Sequence, residues 1–400
     1  MIKEPLPIGV ENYAELMIKG YYYIDKTLLI KDLIDLKGKV NLFMRPHQFG
    51  KTLNLTMLQC FFEKSDMDLT PLFMNTKIWA AGHSYTDQMG KYPVIMLSLK
   101  SLKQTDFQSA FTCLSKEITK EFERHIFILP ALNSREKQEK YKRFLEQTAE
   151  PEEYVTSINF LSDCLYAFYQ THCIILIDDY DMPLEYAYIH GYYPEMFSLI
   201  RSILESTLSA NDTLEFAVLT GSLSMHTESI FDGFNISTFS ITDQSYAEYF
   251  GFTQEEVDQI LRDYQLEQYR EDIGQWYHGY SFGNTQIYNP YSVIRAMDSG
   301  IFQPYWNTST IVRTLIEKAD LSVRQEIESL IAGGTIIKPV HEDITYVDID
   351  TSQDYLWNFL FFTGYLKKRK QYQENGEIYM ELAIPNMEVR HIYQDILCSN

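Results

Sequence analysis

The sequence has little basic charge and no long hydrophobic run. Lys and Arg number 34 against 55 Asp and Glu, which gives a formal net charge of −21. This charge argues against a surface for broad contact with nucleic acid or anionic lipid, although it is compatible with a local basic patch. No apolar run reaches the roughly 18 residues of a spanning helix and no signal pattern opens the chain, so we expect a cytoplasmic protein without a membrane partner.

Cysteine is also scarce and scattered. The chain contains five cysteines, an odd number, and no C-x-x-C pair: they are Cys60, Cys113, Cys164, Cys173 and Cys398. This pattern fits neither a zinc site nor a disulfide framework, and it favours buried apolar thiols in a reducing compartment. The 400 residues, 45% of them hydrophobic, predict a globular protein of roughly two or three domains.

The stretch 39–62, KVNLFMRPHQFGKTLNLTMLQCFF, has the order of a phosphate-binding loop. A short apolar run meets a Pro-containing loop, then Gly50-Lys51-Thr52, then an apolar helix-like run. Backbone N–H groups at a helix N-terminus attract an anion, a Lys there reaches the terminal phosphates, and a Thr hydroxyl can ligate Mg²⁺. The match is partial, because the full pattern requires Gly where the chain has Arg45. We predict ATP and Mg²⁺ as cofactors, with nucleotide contacts from Arg45, Pro46, Phe49, Gly50, Lys51, Thr52 and Leu53.

An apolar strand predicted at 172–177 ends in Asp178-Asp179-Tyr180-Asp181. In a P-loop protein such a strand delivers a Mg²⁺-directing Asp and a water-activating acid. We therefore predict Thr52 and Asp178 as metal ligands and Asp179 as the catalytic acid, a weak substitute for Glu. The alternative is a cluster of acids at a helix N-terminus, which is common after any strand.

The next predicted strand, 214–219, is followed by small polar residues. Thr220 comes first among them, and we predict that its hydroxyl senses the γ-phosphate as a second catalytic group. With strands also predicted at 40–44, 92–99 and 237–241, the strands alternate with helices. This alternation predicts an α/β fold, a three-layer P-loop NTPase with a parallel sheet of order 5-1-4-3-2, the class with an additional strand.

Three further regions flank the predicted P-loop ATPase-like domain at 39–250. Residues 1–38 are predicted to be a lead-in packed on the core, with a strand at 21–24 and a helix at 27–36. In this lead-in, Tyr22, Tyr23, Asp25 and Lys26 either line a base pocket or form an aromatic hairpin with a solvated ion pair. Residues 251–320 predict a helical, lid-like domain and residues 321–400 a winged-helix-like domain with a β-hairpin.

Local signals place several element boundaries. Capping boxes at Thr105-x-x-Gln108 and Thr253-x-x-Glu256 predict helix starts. In the last region the pattern predicts helices at 321–332 and 354–364, extended segments at 335–340 and 344–349, and hairpin arms at 365–373 and 377–384. The arms meet at Asn375-Gly376, a strong hairpin signal.

The hairpin carries the one basic run of this acidic chain, Lys367, Lys368, Arg369 and Lys370. As a wing, it could contact the phosphates of a nucleic acid. As an edge strand, it could be protected from aggregation by its lysines. The surrounding negative charge favours edge protection, or contact with a protein partner, over nucleic acid.

Several blocks taken together resemble the bacterial AAA-ATPase-like family of predicted P-loop ATPases. They occur in order as LPIGVENYAEL, YYYIDKT, RPHQFGKTLNLTMLQCFF, ILIDDYDMPL, FAVLTGSL, ESIFDGFN, YFGFTQEEV, WYHGYSFG, IYNPYSV, LFFTGYL and LAIPNMEVR. The resemblance covers nearly the whole chain and implies Walker A and Walker B sites for ATP. Members often continue into a PD-(D/E)XK-type nuclease domain beyond the last block, and we expect no such domain in these 400 residues.

The chain departs from that family at residues that would set the rate of ATP hydrolysis. The family loop usually reads RPRRFGKT, and here His47 and Gln48 replace its two central arginines. The usual DEYD has Asp179 in place of Glu, Ser224 stands where Arg is usual, and His278 replaces an Asp. A carboxylate misplaced by roughly 1 Å can cost about 10²-fold in rate, and a lost arginine about 10³-fold.

Three functions remain open on this reasoning. The first is an ATP-binding regulatory or switch module with weak or lost hydrolysis, since Lys51, Thr52 and Asp178 are kept. The second is an active ATPase that drives a nuclease or other protein effector, with Asp181 or Glu185 as a substitute base. The third is a platform that has lost nucleotide and docks protein or DNA.

Overall fold

The computed structural model describes residues 4–223, 230–231, 235–306, 308–342, 344–374 and 376–398. Its centre is a five-stranded parallel sheet made of β1 (Val40–Met44), β2 (Val94–Ser98), β3 (Cys173–Asp178), β4 (Leu214–Gly221) and β5 (Ser237–Phe239). The strand order is β2-β3-β4-β1-β5. Read from the other edge this is 5-1-4-3-2, so the predicted sheet order is confirmed.

Helices connect and surround these strands. Up to residue 204 they are α1 (Tyr13–Ile18), α2 (Leu28–Leu36), α3 (Lys51–Phe62), α4 (Lys77–Ala80), α5 (His83–Thr86), α6 (Phe107–Arg124), α7 (Arg135–Leu145), α8 (Pro151–Val155), α9 (Ser157–Tyr169), α10 (Met182–His190) and α11 (Tyr193–Leu204). Short 3₁₀ turns lie at Thr70–Leu72, Ile126–Ala131 and Ala247–Tyr249, and a π turn at Glu205–Ser209 extends α11.

The sheet is buried, which is why its strands could be recognised. Every residue of β1 and of β3 is buried. Strands of a parallel sheet lose both faces to packing and therefore read as continuous apolar runs. Because the strands themselves are largely apolar, the polar residues of the site follow them, at the carboxyl ends of the strands.

The second region contains three helices and a short hairpin. These are α12 (Gln254–Tyr264), α13 (Arg270–Tyr277) and α14 (Pro290–Ser299), with β6 (Tyr280–Phe282) paired to β7 (Thr285–Ile287) and a 3₁₀ turn at Glu267–Tyr269. Buried apolar side chains between 252 and 305 form a cluster apart from the main core. Lead-in residues Leu6, Tyr22 and Ile24 pack against this cluster.

The last region combines helices with a three-stranded antiparallel sheet. Its helices are α15 (Thr310–Glu317), α16 (Leu321–Ile331), α17 (Gln353–Phe362) and α18 (Met387–Cys398). The sheet has the order β8-β10-β9, from β8 (Ile336–Pro339), β9 (Lys367–Glu374) and β10 (Glu377–Ala383). Asn375, predicted to start the hairpin turn, lies outside the described residues. Among the described helices, none combines the length and the apolar character that a bilayer crossing requires.

Three local predictions were wrong. Residues 21–24 do not form a β-strand. Tyr21 N and Tyr22 N each donate one backbone hydrogen bond, to the carbonyl oxygens of Leu16 and Pro5. The alternating sequence pattern of this segment reflects the packing of its side chains on two sides. Helix α6 is capped by Asp106, which accepts from Ser109 N at 2.9 Å, so the predicted capping box starts one residue too early. Residues 344–349 are not extended but lead into a 3₁₀ turn at Asp348–Asp350.

The capping box of α12 is confirmed. Thr253 accepts from Glu256 N, and the Glu256 carboxylate accepts from Thr253 N in return. The same carboxylate also binds the Lys26 ammonium at 2.6 Å. Lys26 therefore joins the lead-in to the second region through an ion pair that is largely buried, rather than the solvated pair considered above.

Candidate functional site

The loop between β1 and α3 turns tightly and places Lys51 at the helix start. Gln48 and Gly50 both have positive φ, at 67° and 85°. Glycine adopts this left-handed conformation without steric cost, and Gly50 does so as the N-cap residue of α3. The free N–H groups of the first turn of α3 thus follow directly after the loop.

The Lys51 ammonium has three partners, one on each of three strand ends. Its Nζ lies 3.0 Å from the Arg45 carbonyl oxygen after β1 and 3.2 Å from Ser222 Oγ after β4. The third partner is Asp179 Oδ1 after β3, at 3.1 Å, in an ion pair whose two side chains are each 4% exposed. The loop lysine is held by three oxygens of the protein.

A hydroxyl and a carboxylate form the place predicted for the metal. Thr52 Oγ1 donates to Asp178 Oδ2 at 2.7 Å, and Thr220 Oγ1 donates to Asp178 Oδ1 at 2.8 Å. Mg²⁺ is usually held by one or two protein oxygens together with waters and substrate phosphates. Thr52 and Asp178 fit such a donor set.

The two neighbouring carboxylates are held in different electrostatic states. Burial, reinforced by the Asp179 carboxylate, raises the pKa of Asp178. Burial also disfavours the charged form of Asp179, but the Lys51 ammonium, followed by His47 and Lys100, more than compensates and lowers the pKa of Asp179. Asp179 is therefore an ionised group paired with a lysine, not a free base.

Thr220 lies behind the acids. Its hydroxyl donates to Asp178 and accepts from Asp179 N at 3.2 Å, so both contacts are within the protein. It does not line the cavity described below. The γ-phosphate contact of Thr220 stays a prediction, and a positioning function is the alternative that its bonds to Asp178 and Asp179 N suggest.

Ser222, at the end of β4, contacts the loop through its side chain. Its hydroxyl lies 3.2 Å from Lys51 Nζ and 3.3 Å from His47 Nε2. The Asp181 carboxylate accepts from Ser222 N and Leu223 N and so fixes this end of β4. Sequence reasoning did not select Ser222, although its place two residues after Thr220 at the end of a predicted strand was a usable signal. Ser224, whose departure from Arg was noted above, lies outside the described residues.

The side chain of Arg45 is directed into the protein. It is fully buried, donates to the Phe239 carbonyl oxygen at 2.8 Å, and stacks over the rings of Phe250 and Phe282. Burial lowers the pKa of Arg45 to about 9, which leaves the guanidinium charged at neutral pH. Its side chain and that of Pro46 do not line the cavity, and this geometry favours a structural function for both.

A cavity of about 540 Å³ opens above the loop. Its wall includes five of the seven predicted nucleotide-binding residues, together with Asp179; these five are Phe49, Gly50, Lys51, Thr52 and Leu53. Tyr22 and Tyr23 of the lead-in also line it, as the base-pocket interpretation required, whereas Asp25 does not.

The cavity wall is richer in cations than the chain as a whole. Among the residues that the structure describes, five basic side chains line it, Lys26, Lys51, Lys100, Lys103 and Arg295, against three acidic ones, Glu11, Asp179 and Glu185. In a protein with net charge −21, this local excess of basic over acidic side chains favours the binding of anions at the cavity. Sequence reasoning missed Lys100, Lys103 and Arg295, although Lys100 follows directly on the predicted strand at 92–99.

Comparison with known proteins finds a matching family model, a similar protein and a solved structure. A family model described as "Predicted AAA-ATPase" matches residues 7–231. An "Uncharacterized protein in vnfD 5'region" of Azotobacter chroococcum mcd 1 is 25% identical over 399 residues, which are 98% of this chain and 69% of that protein. A chain from the "Structure of Drosophila ORC bound to AT-rich DNA and Cdc6" covers 97% of this chain and 91% of its own, with 9% identity and a TM-score of 0.24, too low to relate the folds.

The family match covers more than half of the chain, and it includes β1 to β4, the loop after β1 and the acids after β3. These are the elements that build the edge described above. The chain belongs to the predicted AAA-ATPase family.

Proposed function

We propose that the protein binds ATP at this sheet edge and hydrolyses it slowly, as a nucleotide-dependent regulatory or switch module. One observation carries the proposal: the ends of β1 and β3 bring Lys51, Thr52, Asp178 and Asp179 together beneath a cavity rich in cations. Binding at the carboxyl ends of parallel strands is the rule for α/β sheets, and a helix N-terminus there receives phosphate.

The residues divide between phosphate and metal. Lys51 and the N–H groups that open α3 would receive the phosphates, and Thr52 with Asp178 would hold Mg²⁺. The bound metal would neutralise phosphate charge. Tyr22 and Tyr23, which line the lead-in side of the cavity, would contact the base.

Slow hydrolysis follows from the state of Asp179. A base must be within reach of the water it activates, and Asp is one methylene shorter than the Glu usual in this family. Here the carboxylate is also paired with Lys51 at 3.1 Å, which lowers its basicity. His47, where the family usually has Arg, lies 3.3 Å from Ser222 Oγ, so this position supplies a hydrogen bond in place of an arginine's fixed charge.

The switch would be the exchange of partners by Lys51. Phosphate and Asp179 compete for one ammonium, so nucleotide binding must weaken or break the ion pair. The released Asp179 carboxylate would then interact with other groups of the cavity wall. The lead-in, the loop and the region of α12 and α14 form this wall. We assign these parts to the domains predicted above, 1–38, 39–250 and 251–320.

For residues 321–400 we propose a winged-helix-like domain that contacts protein rather than nucleic acid. The order α16, β8, α17, β9, β10, with β10 between the other two strands, is the order of that fold. In such a domain the helix just before the hairpin would be the one to enter a DNA groove. Here that helix is α17, and seven consecutive residues from Leu356 to Phe362 are buried, so it presents no reading face.

Calorimetry tests the binding proposal. We expect ATP with Mg²⁺ to give saturable heat with the wild type. Asp179→Asn should bind at least as tightly, because Lys51 loses its competing carboxylate. The double variant Lys51→Ala/Asp179→Asn should lose binding, and the added Asn avoids leaving a buried unpaired carboxylate. No heat with the wild type, or equal affinity of the double and single variants, would contradict the proposal.

A further inference from the structure

A second lysine lies beside the predicted metal position. Lys100 follows β2, and its Nζ is 3.8 Å from Asp178 Oδ2, the oxygen that also accepts the Thr52 hydroxyl. The neighbouring backbone is fixed, since Leu99 N donates to the Asp178 carbonyl oxygen at 2.9 Å. The ammonium therefore stands next to the two groups that would hold Mg²⁺.

Lys100 is held there from the other side by the lead-in. Its Nζ lies 2.8 Å from Glu11 Oε2, and both residues line the cavity. Glu11 is the more exposed partner, with 66% of its side chain accessible against 33% for Lys100. Ion pairs with exposed carboxylates contribute little, so Lys100 can exchange Glu11 for a stronger anion at small cost.

An ammonium at this place supplies part of what a metal supplies. The metal of a phosphate site neutralises phosphate oxygens and bridges them to the protein carboxylate. A lysine is a compact point charge with three donors, which can bind phosphate on one side and carboxylate on the other. The Lys100 ammonium already lies within ion-pair distance of the Asp178 carboxylate, at 3.8 Å.

We propose that Lys100 is a phosphate-binding residue that substitutes for part of the Mg²⁺ charge, so that the site retains nucleotide phosphates when divalent metal is removed. This inference rests on the proposed function, because it concerns the same nucleotide. It assigns to the end of β2 a function in binding that the phosphate loop and the acids of β3 do not perform.

The test compares ATP affinity with excess Mg²⁺ and with EDTA, by calorimetry on the full chain. For the wild type we expect the two dissociation constants to agree within roughly threefold. Lys100→Gln should bind almost normally with Mg²⁺ and at least about tenfold more weakly in EDTA. The matched control is Lys116→Gln, which removes an exposed lysine of α6 and should change neither value.

A second variant keeps the test decisive if Lys100→Gln is unstable. Glu11→Gln leaves Lys100 in place without its competing carboxylate, and it should strengthen binding in EDTA. Wild-type binding that requires Mg²⁺, or Glu11→Gln binding that weakens in EDTA, would overturn the assignment of Lys100 while leaving the proposed function intact. Absence of binding in both conditions would overturn both.

Discussion

At the scale of single residues, the site is organised around an ion pair that its ligand would have to break. Lys51 and Asp179 are buried together, and each stabilises the charge of the other. Breaking a buried pair without compensation costs several kcal/mol, about 3 to 5. Phosphate would provide this compensation for Lys51, and Asp179 would then turn to other donors.

The backbone at Asp179 is consistent with the residue found there. Its φ is 50°, in the left-handed region. Asp and Asn adopt that region more readily than longer side chains do, because a short polar side chain can bond locally. The change from the family's usual Glu therefore shortens the acid and also suits the local backbone.

The first prediction concerns Thr220, which bridges the two acids from behind. Thr220→Val keeps the shape and removes the hydroxyl that donates to Asp178 and accepts from Asp179 N. Leaving those buried groups unpaired should lower the free energy of unfolding by about 1–3 kcal/mol, measured by urea denaturation.

Thr220→Ser is the matched control, since it keeps the hydroxyl and should retain most of the stability. If Thr220 contacts the γ-phosphate instead, Thr220→Val would weaken ATP affinity relative to ADP and leave the stability of the nucleotide-free protein unchanged. That result would contradict the positioning function.

The residues of the site were only partly predictable. Lys51, Thr52 and the acids after β3 could be found because their types and spacing report their chemistry. The inward direction of Arg45 could not, because it depends on Phe250 and Phe282, about 200 residues away in the chain. Ser222 and Lys100 were missed because single polar residues after strands are common.

At the scale of elements, strand ends position the acids and one buried carboxylate fastens the last helix. Glu388, in the first turn of α18, is fully buried. It accepts from Ser292 Oγ on α14 and from the backbone N–H groups of Tyr305 and Trp306, all within 2.9 Å. The Glu388 side chain thereby joins this helix to the second region.

The second prediction is a pH dependence of stability. Burial raises the pKa of Glu388 from 4.5 to about 7. Because the folded pKa lies above the unfolded one, the folded state binds more protons between these values. The contribution of Glu388 to the free energy of unfolding is therefore complete below about pH 4.5 and is lost as the pH rises through about 7.

Glu388→Gln should remove this dependence. Between pH 5 and 8 the wild type should lose stability relative to the variant by up to about 3 kcal/mol, measured by urea unfolding at each pH. Taking the difference between the two proteins cancels the other titrating groups. Parallel profiles would show that the carboxylate stays ionised in the fold.

Elements were more predictable than residues, for a physical reason. The buried strands of a parallel sheet and the amphipathic α6 leave regular patterns of hydrophobic residues along the chain. Residues 21–24 show the same alternation without a ladder, since Tyr22 packs on the cluster of the second region while Tyr23 approaches α3 through Met57. Sequence spacing cannot distinguish these two kinds of packing.

At the scale of the whole molecule, charge separates the cavity from the surface. The chain carries −21, yet basic side chains outnumber acidic ones around the cavity. An anion would thus be repelled by most of the surface and attracted at one place. The basic run of β9 does not form a second cation-rich site. Lys370 faces Glu381 across the hairpin, and Lys367 donates to the Pro385 carbonyl oxygen.

The third prediction follows for nucleic acid. Labelled duplex DNA should show no specific change in fluorescence anisotropy at physiological salt, and replacing Lys368, Arg369 and Lys370 by Gln should change nothing. We expect no binding because α17 is buried and acidic residues lie around the basic run. Binding that weakens with salt and disappears in the triple variant would instead establish a phosphate contact at the hairpin.

Steady-state phosphate release at saturating ATP and Mg²⁺ shows whether this edge holds ATP and turns it over slowly because of Asp179. Asp179→Glu should release phosphate at least about tenfold faster than the wild type, since the longer side chain reaches the attacking water. A melting curve would show that Glu is tolerated at the positive φ. Equal rates for the two proteins would contradict the account.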